Sequence, residues 1–296
     1  MTLRILDGLS AIAGDYDGFV VDLWGVVHNG VEAYREAVDC MHRMRAGGKP
    51  VLLLSNAPRR SDRVTPRLRG LGVPDDAYDD ILTSGDATRD ALASRDDAWH
   101  AALGRRFYQV GPERDFGLLD GLDYVRVHDL ADADFVLMSG LVDDDREGPE
   151  DYRGLLGQAL ERGLPMICVN PDVLVMRGPK WIYCGGALAE LYREMGGDVT
   201  FHGKPYSRVY AECARRMERL LGRSVAPARL LAIGDNLNTD IRGANAFGLA
   251  SVLVADGFHG SEWGEALVRA PDPAALEQHM VSAGARPDAV IVRLRW

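Results

Sequence analysis

One segment constrains this chain's fold more than any other: Gly18-Phe-Val-Val-Asp22-Leu-Trp24-Gly25. A short β-branched run that stops on an acid and then a glycine reads as a buried parallel strand presenting Asp22 at its C-terminal end. The pattern then continues. A helical stretch from Val31 to Arg45 is stopped by Gly47-Gly48, and Pro50 to Ser55 reads as a second buried strand running into Asn56. A helix from Ser61 to Arg69 leads to a short strand at Ile81 to Thr83. Strand and helix in alternation indicate right-handed βαβ units and a parallel sheet.

The middle of the chain repeats this alternation independently. A helix over Asp86 to Leu103, strands at Phe107 to Val110 and Phe135 to Met138, a helix over Glu150 to Arg162, a strand at Pro165 to Val169 and a helix over Ala187 to Met195 suffice for a separate small α/β domain. The last third returns to the first style. It has a helix over Ser207 to Leu221, a strand at Leu230 to Ile233, a helix over Thr239 to Phe247, and strands at Ser251 to Val254 and Ala289 to Leu294. With 296 residues the chain suits a main domain of ~150–200 residues plus an insertion.

Charge and composition narrow the function. A net charge of -10 argues against a nucleic-acid partner, which needs clustered Lys and Arg. The pairs Arg59-Arg60 and Arg215-Arg216 read as solvated helix faces. Met1 to Ser10 lacks the layout of a signal peptide, and no apolar run approaches the ~18 residues of a membrane span. Cys40, Cys168, Cys184 and Cys213 form no C-x-x-C pair, so reduced, mostly buried thiols in a cytoplasmic protein are expected, with no zinc site.

Ligands of open parallel sheets bind at the carboxyl ends of the strands, where strand order reverses. Three such ends here are polar: Asp22, Ser55-Asn56, and Gly234-Asp235-Asn236, with Asp240 five residues beyond Asp235. Singly, each acid is explained by capping a turn or a helix. Together they crowd carboxylates at one mouth, which is costly without a cation, and hard oxygen donors suggest Mg²⁺. Lys204, in His202-Gly203-Lys204-Pro205, supplies positive charge, although a lysine in a turn is by itself an ordinary surface feature.

In this order, Asp22-Leu-Trp-Gly-Val, Ser55-Asn56, Gly203-Lys204-Pro205 and Gly234-Asp235-Asn236-Leu-Asn-Thr-Asp240 resemble the four motifs of the haloacid dehalogenase superfamily. The spacing is similar to its class IIA branch, the NagD-like and pyridoxal-phosphate phosphatases, which carry a C2-type cap between motifs two and three. The resemblance implies a Rossmann-like, doubly wound core at residues 1–84 and 200–296 and an inserted α/β cap at 85–199. It implies that Asp22 attacks phosphorus to form an aspartyl-phosphate, that Ser55 bonds a phosphoryl oxygen and Asn56 orients nearby groups, and that Lys204 neutralises charge. Mg²⁺ would be held by Asp22, the Trp24 backbone carbonyl and Asp235, with Asp240 ordering the metal's surroundings or Lys204. Asn170-Pro171-Asp172 and Gly185-Gly186 resemble cap and return features of the branch, which puts Asn170 on the substrate side. A small phosphorylated metabolite is the implied substrate. Dimerisation through the cap is common in similar proteins, though no interface signature is visible here.

The chain departs from the family at Trp24. Most phosphatases of the family have an aspartate there that protonates the leaving alcohol, and an indole N–H cannot exchange a proton at neutral pH. General acid–base help is worth ~10²–10⁴-fold. His28 is the nearest titratable substitute, with Asp17 less well placed. Otherwise the chain acts on a good leaving group or a non-ester bond, as a dehalogenase does, or binds a phospholigand without turnover. Asp172 and the run Asp143-Asp144-Asp145 disclose no selective chemistry, and the run reads as a solvated loop.

Overall fold

The computed structural model describes residues 3–178 and 180–296. The chain opens with strands β1 (Arg4–Leu6), β2 (Gly18–Asp22), β3 (Val51–Ser55) and β4 (Asp80–Thr83). It continues through β5 (Arg106–Val110), β6 (Val125–Val127), β7 (Phe135–Met138), β8 (Met166–Cys168), β9 (Leu174–Arg177), β10 (Lys180–Tyr183) and β11 (Val199–Phe201). Strands β12 (Leu230–Gly234), β13 (Ala250–Val254) and β14 (Ala289–Ile291) complete it.

The first four strands and the last three form one parallel sheet in the order β1-β14-β13-β12-β2-β3-β4. The chain winds from β2 through β3 to β4 on one side and from β12 through β13 to β14 on the other. The order therefore reverses between β2 and β12, which positions Asp22 and Asp235 at the switch point.

Both faces of this sheet are covered, and for that reason its strands read as continuous apolar runs. Phe19 and Val21 pack with Val51, Leu53, Leu231 and Ile233 on one face, under Met41 and Met44 of the helix Arg35–Ala46. Val20 packs with Leu52, Leu54 and Ala232 on the other, under Val209, Cys213 and Met217 of the helix Ser207–Leu221. The alternation follows from the two-residue period of a strand.

A second parallel sheet has the order β11-β8-β7-β5-β6, and an antiparallel hairpin pairs β9 with β10. It too is buried on both faces, with Val136, Met138 and Met166 on one and Phe135, Leu137 and Ile167 on the other. We assign the cap to residues 85–199 and the strand that runs on to Phe201.

Several expected elements have different bounds. The helix expected over Asp86 to Leu103 is two helices. Ser84–Ser94 starts with a capping box between Thr83 and Asp86, and it ends where Arg95 turns left-handed with φ 48°. Asp97 then caps Ala98–Ala102 by accepting from the His100 N–H at 2.9 Å. The first helix begins at Arg35 because Asn29 Oδ1 accepts from the N–H groups of Val31 and Glu32, holding that segment in a turn. The last strand stops at Ile291. Strands β1, β6 and β11, the β9–β10 hairpin and the helix Pro273–Ala283 were not anticipated. All four cysteines are buried and unpaired. Among the described residues no helix is long and apolar enough to cross a membrane.

Candidate active site

Asp22 is the last residue of β2, Ser55 the last of β3, and Asp235 follows β12. Parallel strands bring these ends to one edge of the sheet. Lys204 follows β11 of the second sheet by three residues, and its ammonium lies 2.5 Å from Asp22 Oδ1 and 2.6 Å from Asp240 Oδ1. All of these charges are sequestered: Asp22 is 8% exposed, Lys204 3%, Asp235 5% and Asp240 4%. Oxygens of Asp22, Asp235 and Asp240 lie within 4.8 Å of one another.

Three carboxylates around one ammonium leave an excess of negative charge away from water. Burial, then the Asp240 charge, raises the Asp22 carboxyl far above the ordinary range, against the lowering effect of Lys204. Burial and the charges of Asp22 and Asp240 do the same to Asp235. Burial alone would lower Lys204, but Asp22, Asp240 and Asp172 together hold its ammonium well above its usual value. A buried carboxylate trio of this kind is a donor set suited to a hard divalent cation.

The supporting contacts fix each group. Asp235 Oδ2 accepts from the Phe258 N–H at 2.7 Å, and Asp240 Oδ2 accepts from the Asn236 N–H at 3.2 Å. Gly25, at φ 82°, lies so close to Asp235 that a Cβ would stand 1.8 Å from its Oδ2. Gly203, at φ 103°, stands likewise against Asn56 Oδ1, at 2.4 Å. Asn56 clamps the lysine loop: its Oδ1 accepts from the Lys204 N–H at 2.8 Å, and its Nδ2 donates to the Lys204 carbonyl at 3.1 Å. The same Nδ2 donates to Asp172 Oδ1 at 2.8 Å, linking core to cap. Ser55 Oγ accepts from the Ala57 N–H at 3.2 Å.

A cavity of about 300 Å³ opens over this cluster, lined by Asp22, Ser55, Asn56, Asn170, Lys204 and Asp235, and by Asp240 behind them. Asn170 shapes the rim, since its Oδ1 accepts from the Asp172 N–H at 3.1 Å. The sequence-derived set thus converges on one place, with one exception. His28 does not line the cavity. It is buried, its Nδ1 accepts from the Gly30 N–H at 3.0 Å, and burial, helped by Arg67, lowers it to about 4. A ring so held is neutral at pH 7 and packs edge-on against Trp24.

Trp24 lines the cavity, and its indole N–H donates to the Met176 carbonyl in β9. The hairpin makes a second contact with the core, where Trp181 meets Phe258 edge-on at 5.2 Å between ring centroids. The residue that replaces the family's acid therefore ties the cap hairpin to the catalytic edge.

Three readings from the sequence need correction. Arg216 is not on a solvated face, since its side chain is 15% exposed and donates to the Ile81 carbonyl at 3.0 Å. Arg59 is not on a solvated face: it lines the cavity and lies 3.3 Å from the buried Asp115 of the cap. Asp144 is not in a simply solvated loop either, since it pairs with Arg114 and Arg177 at the cavity wall. None of these pairings carries a periodic signal in the sequence, because each joins segments distant along the chain.

Comparisons with known proteins identify the family. The family described as haloacid dehalogenase-like hydrolase matches residues 19–124, and a second hydrolase family of the same type matches residues 201–291. A hydrolase of the haloacid dehalogenase-like family from Brucella suis 1330 superposes with a TM-score of 0.84 at 38% identity, covering 98% of this chain and 100% of that one. The 5'-nucleotidase YutF of Bacillus subtilis is 26% identical over 82% of this chain and 88% of its own length. A glycerol phosphate phosphatase from Mycobacterium tuberculosis, solved in complex with magnesium, shares the fold with a TM-score of 0.65 at 24% identity, covering 97% of this chain and 76% of that one. With its motifs at the strand ends and a whole-length relative of the same fold, the chain belongs to the haloacid dehalogenase-like hydrolase family.

Proposed function

We propose that the chain hydrolyses the phosphomonoester of a small metabolite, with Asp22 as nucleophile and Mg²⁺ as cofactor. The observation that carries this reading is the buried Lys204 ammonium held between Asp22 and Asp240 beside Asp235. An oxygen of Asp22 attacks phosphorus, the Asp22–phosphorus bond forms and the ester P–O bond breaks. Water then releases phosphate from the aspartyl-phosphate. Lys204 compensates charge on the transferring group, and Ser55 offers its hydroxyl to a phosphoryl oxygen. Asn56 acts through its clamp on the Lys204 backbone. Asp22, Asp235 and the Trp24 carbonyl are the residues that would hold Mg²⁺, with Asp240 orienting Lys204. When bound, the ion offsets the like charges of carboxylate and phosphate.

Trp24 cannot deliver a proton to the leaving oxygen, and His28 is neutral and outside the cavity. In this reading Asp172 takes the part. It enters from the cap, lines the cavity, and is held by Asn56 close enough to Asp22, Lys204 and Asp240 for each pair to influence the other's charge. Burial raises its carboxyl and so favours the protonated form that an acid requires, against the opposing effect of Lys204 and the Asn56 hydrogen bond. Asp172→Asn keeps an oxygen for Asn56 but loses the proton. It is expected to slow alkyl phosphates ~10²-fold and nitrophenyl phosphate, whose phenolate departs without a proton, far less. Equal slowing of both classes would reduce Asp172 to a positioning role through Asn56.

The direct test is phosphate release from a panel of phosphomonoesters with Mg²⁺ and with a chelator. Release is expected only with the metal. At a metal concentration 100 times Kd, Mg²⁺ should also stabilise the fold by ~2.7 kcal/mol, an increment that Asp235→Asn loses. Failure to release phosphate from any ester, with or without metal, would favour a non-ester bond or a binding role.

A further inference from the structure

At the wall of the same cavity a second polar site bridges core and cap. Arg59 lies on the loop that leaves Ser55 and Asn56, and Asp115 lies in the cap at the end of a short helical turn, Glu113–Asp115. Both side chains line the cavity. They approach to 3.3 Å between Nε and Oδ1, but the alignment gives no hydrogen bond, and these two atoms are buried without a hydrogen-bond partner among the described residues. Asp115 is 4% exposed. Burial raises its carboxyl to about 6, with Arg59 and Arg114 pulling the other way, so it is mostly ionised at neutral pH.

Nε and Oδ1 are shut off from the cavity, so a ligand there meets the other Asp115 oxygen and the remaining N–H groups of the half-buried Arg59 side chain. The chemistry of that ligand follows from the pair. A cation is repelled by Arg59 and an anion by Asp115. An apolar group leaves both unsatisfied. A hydroxyl both donates and accepts, and so satisfies the carboxylate and the guanidinium at once.

The loop that carries Arg59 is also rigid. Ser84 Oγ donates to the Ala57 carbonyl at 2.9 Å, the Gly85 N–H donates to the same oxygen, and Gly85 sits so close that a Cβ would stand 2.6 Å from the Arg59 backbone. The Arg59 backbone is therefore held in place before any ligand arrives, which lowers the entropic cost of binding.

We propose that Arg59 and Asp115 are specificity residues that recognise a hydroxyl group on the leaving portion of the substrate, so that the preferred esters are phosphates of polyols or sugars. This deepens the phosphatase reading and rests on it for the position of the phosphate.

Equilibrium binding tests it without requiring turnover. In Asp22→Asn protein with Mg²⁺, calorimetry compares glycerol 3-phosphate with propyl phosphate, and ribose 5-phosphate with pentyl phosphate. Within at least one pair the hydroxylated ester is expected to bind roughly tenfold tighter or better, the worth of one charge-assisted hydrogen bond. Adding Asp115→Asn, or the apolar double replacement Arg59→Met with Asp115→Leu, should bring that ratio close to one. The second variant guards against misfolding from an unpaired Arg59, and circular dichroism checks both. Equal binding of both esters in both pairs, no binding of any, or a preference that survives both variants overturns the proposal. Hydroxyl preference in binding, with no phosphate release by the parent chain, would instead overturn the hydrolase reading and leave this site standing.

Discussion

Asp22→Asn is expected to abolish phosphate release, lowering kcat by ~10⁴-fold or more, as removal of an enzyme's covalent nucleophile commonly does. The amide cannot form the aspartyl-phosphate, and the neighbouring carboxylates, including Asp172 on Asn56 Nδ2, are held by other partners. Asp235 is turned toward the Phe258 N–H, and Asp240 is engaged by Lys204 and by the Asn236 N–H. The fold should survive, because Asn fits the same space at the end of β2 and removes one of three mutually repelling buried carboxyls. The urea midpoint without metal should therefore hold or rise while phosphate release disappears. Residual release within tenfold of the parent would sink the assignment of Asp22 as nucleophile. It would point to direct attack by water.

The contrast between what the sequence disclosed and what it did not has a physical origin. Asp22, Ser55 and Asp235 stand at or just past the ends of apolar runs, and parallel pairing forces those ends together whatever the loops do. Lys204 was legible because Gly203 and Pro205 bracket it, and the structure shows why Gly203 is needed: a side chain there would strike Asn56. Arg59, Asp115 and Asp172 come from three loops whose meeting depends on how the cap sits on the core. No periodicity records that. Arg59 was misassigned because two adjacent arginines near a helix start look alike in sequence, although Arg60 pairs with Asp62 near the surface and Arg59 with a cap residue.

Trp24 shows the same limit from the other side. Its identity announced that an acid was missing, but its partner could not be read. Met176 lies in a short hairpin strand of mixed burial, and the contact joins residues 152 apart. The structure gives the tryptophan a positive role: its ring closes the space above Gly30 and its N–H holds the hairpin. Trp181 on Phe258 gives the hairpin a second contact with the core.

Lys204→Met is expected to have the largest effect on stability. Methionine fills most of the space but leaves Asp22, Asp235 and Asp240 facing one another without a cation. Breaking a buried ion pair in this way costs ~3–5 kcal/mol, and the cost depends on pH. Without the ammonium, the folded-state carboxyls of Asp22 and Asp235, already raised by burial, bind protons more tightly than the same groups do in the unfolded chain. The variant therefore loses stability as pH rises above the ordinary carboxylate range near ~4, and recovers it as pH falls. Urea denaturation without metal should show a deficit that is larger at pH 8 than at pH 5. Mg²⁺ should restore part of it at pH 8, because the ion supplies the missing positive charge. Phosphate release should not return with the metal, since Lys204 also meets the transferring group; a loss of ~10²–10³-fold is expected for one charged donor. A deficit independent of pH would mean that Lys204 acts by packing alone, and full activity in Mg²⁺ would remove it from the reaction.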